Sequence, residues 1–108
     1  MGEPVGSQRM SKLQAMLQKQ PQDTFLLYGL AMEYKKAGDP ARAVEHFDRV
    51  IALDPGYCYA YHQKGQTFEA SGNREAARQA YRDGIAAATK KGDQHAREEI
   101  TAALEMLS

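Results

Sequence analysis

At 108 residues the chain has room for one hydrophobic core and not two. A mean hydropathy of -0.64, with no apolar run of membrane length, excludes a spanning helix. Fourteen Lys and Arg balance fourteen Asp and Glu, which argues against a surface built for nucleic acid or an anionic membrane, since both need an excess of positive charge. Val, Ile and Thr total only ten residues against seventeen Ala. A sheet has little to be made from, and the composition predicts an all-α chain.

The start, Met1-Gly2-Glu3-Pro4-Val5-Gly6, has no basic stretch followed by an apolar one, so a secretory or transit signal is not expected and the cytoplasm is the expected location. Gly2 does not begin a myristoylation signal, because Gly6 stands where Ser or Thr is required. A first helix over about 8-19 carries Met10, Leu13, Met16 and Leu17. Apolar residues at helical spacing then predict a helix over 23-37, with Leu27, Leu30, Ala31 and Tyr34, and one over 40-53, with Ala43, Phe47, Val50 and Ile51. Helices over 57-71 and 74-89 repeat the arrangement. Between the members of each pair, Ala37-Gly38-Asp39 and Ser71-Gly72-Asn73 supply a glycine able to take a positive φ, then a residue suited to cap the next helix. After Lys90-Lys91-Gly92-Asp93 a helix over 94-107 is capped by Asp93, with Ala96, Ile100, Ala103, Leu104 and Leu107 on one face and charges on the other.

A shift of 34 residues lays Tyr34 on Phe68, Gly38 on Gly72, Ala43 on Ala77, Phe47 on Tyr81 and Ile51 on Ile85; it also lays Leu13 on Phe47 and Pro21 on Pro55. Leu30-Ala31-x-x-Tyr34, Gly38-Asp39, Ala43-x-x-x-Phe47 and Leu53-Asp54-Pro55 together resemble a tetratricopeptide repeat. The second copy keeps Gly65, Phe68, Gly72, Ala77 and Tyr81. It departs at Lys64, where the family prefers Leu, at Thr89, where it prefers Pro, and at Tyr61, where Trp is usual. The resemblance covers about residues 10-91. It implies an all-α stack of about two and a half hairpin repeats, a fragment of a right-handed α-solenoid: a half repeat at 8-21, repeats at 22-55 and 56-91, and a capping helix at 92-108, all in one domain. Small residues at Ala31, Ala43, Gly65 and Ala77 let paired helices approach, with Phe47 and Tyr81 filling the space beside them.

In proteins of this kind the first helix of each repeat lines a concave groove. The resemblance therefore implies a peptide-binding surface of Phe25, Tyr28, Met32 and Lys35 from one repeat and Tyr59, His62, Gln66 and Glu69 from the next, with Lys36 beside them. The alternative for these rings is that they lie under the half repeat or the last helix. A branch of the family grips a peptide carboxylate with Lys, Asn and Arg; Tyr28, Met32 and Gln63 occupy the matching positions here, leaving only Arg97 near a remaining one. The expected function is a scaffold for a protein or peptide partner, without cofactor, metal, nucleic acid or membrane. The alternative is a homodimer formed through the half repeat, since residues 1-7 are too few to supply its companion helix.

Other chemistry finds little support. Cys58 has no disulfide partner in the chain. Cys58 and His62 are four apart on one helix face, but His46 and His95 lie on other helices, so neither a metal site nor a nucleophile with its base and orienting acid is assembled. No phosphate-binding glycine motif occurs. An enzyme is not expected. Arg74, Arg78 and Arg82 recur every four residues, and the reading for them is a solvated face paired with Glu98, Glu99 or neighbouring acids.

Overall fold

The computed structural model describes residues 7-107. The readings made on residues 1-6, for a leader, for lipidation and for a missing companion helix, lie outside the described residues. Six helices succeed one another: α1 (Ser7–Lys19), α2 (Thr24–Lys36), α3 (Pro40–Leu53), α4 (Cys58–Ala70), α5 (Arg74–Lys91) and α6 (Gln94–Leu107). There is no strand among the described residues. Each helix packs on the next in sequence, and α6 also touches α4. The result is an elongated slab of 41 × 29 × 18 Å, whose radius of gyration of 14.2 Å exceeds the roughly 13 Å of a compact chain of this length, as a stack of hairpins should.

The two hairpin turns are built alike, for a reason visible in their residues. After α2, Gly38 takes φ +79°; its N–H donates to Lys35 O at 3.2 Å and the Asp39 N–H to Tyr34 O at 2.9 Å. After α4, Gly72 takes φ +80°, with Gly72 donating to Glu69 O at 3.0 Å and Asn73 to Phe68 O at 2.9 Å. The left-handed glycine lets two carbonyls at the helix end be satisfied at once. The next residue then caps the following helix: Asp39 accepts from the Arg42 N–H and Asn73 from the Ala76 N–H, both at 3.2 Å.

Inside the hairpins the small residues do what the pattern implies. Ala31, Ala43, Phe47, Ala77 and Tyr81 are fully buried. At Gly65 a Cβ would stand 2.3 Å from Tyr81 Cε1, so the ring occupies the volume that any side chain there would need. The core falls into two joined clusters. One is made by α1, α2 and α3 with Ala60, the other by Cys58, α5 and α6. The half repeat belongs to the first: Leu13 and Leu17 are buried, Gln14 donates to Tyr34 Oη at 3.1 Å, and Arg9 meets the buried Glu33 at 3.0 Å.

Several expectations are corrected. The helix placed at 74-89 runs on to Lys91. Pro55 ends its counterpart α3, but Thr89 occupies the equivalent place, keeps its own N–H and donates its hydroxyl to Ile85 O at 2.8 Å; the helix continues until Gly92 at φ +80°. The other helix ends differ by a residue at most from those expected. Thus α3 joins α4 through the loop Asp54-Pro55-Gly56-Tyr57, whereas α5 joins α6 through Gly92-Asp93, a turn of the kind used inside a repeat. The helix caps Asp23, Tyr57 and Asp93 therefore stand 34 and then 36 residues apart. The final helix covers α5 and the Tyr61 side of α4, with Ile100 and Tyr61 both set against Gly84. Glu98 and Glu99 do not pair with the α5 arginines: they engage Gln94 and His95, while Arg78 meets Glu75 and Arg74 donates to the Leu107 carbonyl. Lys64, in a position where an apolar residue is usual, reaches Asp48 on α3 at 2.6 Å.

Candidate functional site

The surface expected to bind lies along α2 and α4, and the side chains nominated from the sequence fall into three groups. Phe25 and Tyr59 stand free, 73% and 48% exposed. Covering such a ring would stabilise it by an amount on the order of 2 kcal/mol. Tyr28 and Met32 are half-buried and double as core. The Tyr28 ring lies 5.8 Å from Phe47, edge on, and 5.1 Å from Tyr57. Burial, with Tyr57 and then Tyr59 nearby, raises the pKa of its phenol.

The third group is a polar seam joining the two helices. Lys35 Nζ donates to Gln63 Oε1 at 2.5 Å and to Gln66 Oε1 at 3.1 Å, and the Gln66 amide contacts His62 Nε2 at 3.4 Å. Burial pulls the Lys35 pKa down. It pulls that of His62 down too; Glu99 opposes that shift and Lys35 adds to it, so the imidazole is neutral at pH 7. The His62 ring stands edge on to Tyr81, 6.0 Å away. Tyr81 donates to Glu69 Oε1 at 2.7 Å, and burial with that bond holds its phenol far above the ordinary value. All eight nominated residues thus lie on or beside one continuous face of α2 and α4, with Lys36 exposed at its edge.

The residues nominated from the sequence stop at α4 and leave out a third wall. On α6, Ala103 and Met106 stand beside Gln66 and Glu69 of α4, and Glu99 is near enough to act electrostatically on His62. A hollow of about 390 Å³ opens there, lined by Gln66, Glu69, Ala70, Tyr81, Ala103 and Met106. Met106 is 86% exposed. The available signal was Gly92-Asp93 itself, a turn motif in the place of a linker. Arg97 turns instead toward the α5–α6 junction, beside Ala88 and Thr89. Gln63, noted only for its clamp position, and Tyr57 were the other groove-side residues not nominated.

Cys58 is buried, with its thiol directed at Gly56 O, 3.4 Å away. Burial first, and Asp93 second, raise its pKa and disfavour a reactive thiolate. Among the described residues no three His, Cys, Asp or Glu side chains gather as metal ligands.

These features define a class: a short scaffold of stacked helical hairpins with an open, ring-bearing face. Tetratricopeptide repeat models match residues 25–57 and 59–91. The TPR repeat-containing protein PA0015 of Pseudomonas aeruginosa is 38% identical over 95 residues, spanning 88% of this chain and 90% of its own. The chain belongs to the tetratricopeptide repeat family, a family of protein-interaction scaffolds. Among solved structures, protein BPP2914 from Bordetella parapertussis is similar with a TM-score of 0.80 at 29% identity, over 98% of this chain and 89% of that one. PcrH, solved in complex with the chaperone binding region of PopD, shares the fold with a TM-score of 0.85 at 15% identity, over 94% of this chain and 77% of that one. No described helix is long and apolar enough to cross a membrane.

Proposed function

We propose that this protein binds a peptide or helical segment of a partner protein in the groove bounded by α2, α4 and α6, without catalysing a reaction. The observation that carries the reading is the pair of exposed rings, Phe25 and Tyr59, one repeat apart on neighbouring helices. Rigid aromatic side chains give large contact area at small entropic cost. The Lys35, Gln63, Gln66 and His62 seam beside them supplies polar groups that fix register. A shared fold at PcrH is compatible with holding a chain segment. The groove residues are Phe25, Tyr28, Met32, Lys35, Tyr59, His62, Gln66 and Glu69, in a single domain whose half repeat, two repeats and capping helix act together.

The test is capture from the native lysate with wild type and with Phe25→Ala/Tyr59→Ala. Both rings are exposed, so the double variant should melt like wild type and lose the partner. A variant that retains the partner at undiminished yield rules the groove out.

A second reading, self-association, draws on Met16, which is 51% exposed on α1. Since Leu13 and Leu17 are core, a substitution there would damage the fold, and Met16→Asp is the fitting probe. Sedimentation of wild type as a 12 kDa species across a hundredfold concentration range would remove that reading.

A further inference from the structure

Resting on the groove reading, we infer that the segment bound there is basic as well as apolar, and that it places an arginine or lysine side chain in the hollow between α4 and α6. The two ends of the groove differ in chemistry. On the α2 side the rings of Phe25 and Tyr59 ask only to be covered. The single partly buried cation there, Lys35, already donates to two amide oxygens. On the far side the lining is Ala70, Ala103 and the thioether of Met106 together with Gln66, Tyr81 and Glu69. Glu69 accepts from Tyr81 through one oxygen, and a carboxylate has sites for further donors. Glu99 is close enough to act electrostatically on His62, so a second negative charge bears on the same region. His62 is held neutral, and its own cation does not compensate them.

A partly apolar trough holding the Glu69 carboxylate, with Glu99 nearby, fits a side chain with an aliphatic stem and a cationic head. An acidic segment would meet like charge there, and a purely apolar one would desolvate Glu69 with only the Tyr81 hydroxyl to compensate. The hollow of about 390 Å³ has room for such a side chain. Phe25 and Tyr59 would then supply affinity, and the hollow would select sign and direction.

The test uses a fluorescently labelled synthetic amphipathic peptide, leucines on one face and arginines on the other, and its counterpart with each arginine replaced by citrulline, which keeps shape and loses charge. Anisotropy at low salt should show the arginine peptide bound about tenfold more tightly, the difference shrinking with salt. Glu69→Gln and Glu99→Gln should each weaken the arginine peptide by about threefold and leave the citrulline peptide unchanged, since glutamine preserves the acceptor for Tyr81. Glu45→Gln, on α3, should change neither. Equal affinity for the two peptides, indifference to Glu69→Gln and Glu99→Gln, or an equal effect of Glu45→Gln overturns the inference; if Phe25→Ala/Tyr59→Ala still weakens both peptides, the groove reading survives. If wild type binds neither peptide, or that double variant binds both as wild type does, the groove reading falls and the inference with it.

Discussion

Gly65 and Tyr81 show how much of this fold is decided by single residues. The Tyr81 ring fills the space a Cβ at Gly65 would enter at 2.3 Å, and Gly84 is similarly closed by Tyr61 Cβ at 2.7 Å. Neither ring is the loose end of a flexible chain, so Gly65→Ala should destabilise the protein by about 1-3 kcal/mol despite the better helix propensity of alanine. Ala77→Leu, fully buried on α5, should do the same. Urea midpoints measure both; unchanged midpoints would mean that the paired helices are not this close. Tyr81 also makes the fold alkali-sensitive. Its phenol is raised above the ordinary 10.0, so above about pH 10 the unfolded chain gives up a proton that the folded one keeps. Its contribution is therefore complete below pH 10 and declines as pH rises. Tyr81→Phe loses the bond to Glu69, and its stability deficit against wild type should narrow between pH 8 and 10.5. A constant deficit would show that the phenol does not titrate with folding.

At the level of elements, the turns were legible and the junctions less so. Gly38-Asp39 and Gly72-Asn73 announce themselves because only glycine takes that positive φ cheaply and Asp or Asn caps the next helix. Gly92-Asp93 carries the same chemistry, yet a fixed repeat length conceals what it does: with Thr89 in place of a proline, α5 grows and the cap of α6 follows that of α4 by 36 residues and not 34. The family resemblance with the 34-residue shift was enough to nominate residues on α2 and α4; the part played by α6 was not legible, since it depends on where α5 stops. The same junction makes α6 structural. Ala96, Ile100 and Leu107 are buried against α5 and its neighbours, and Arg74 ties down the last turn. Removing residues 93-108 should therefore expose the Tyr61, Ile85 and Ala88 flank and cause aggregation or a broadened thermal transition by circular dichroism. A truncated chain that stays monomeric and melts as sharply as the full one would show α6 to be an appendage.

Across the whole molecule, the core and the proposed binding face share residues. Tyr28 packs on Phe47 and Tyr57 although it follows the exposed Phe25 by three residues on the same helix, so spacing alone could not separate core from exposed surface. Exposure in the fold does separate them, and it selects the variant for the decisive measurement. The central claim is that the concave face binds a protein segment through Phe25 and Tyr59. Partner capture by wild type and by Phe25→Ala/Tyr59→Ala, with matched thermal melts, tests it most directly. Equal melting and at least tenfold less partner on the double variant are expected, the loss of roughly 1.4 kcal/mol or more that removing two anchor rings should bring; equal melting with equal capture would rule out binding through these rings.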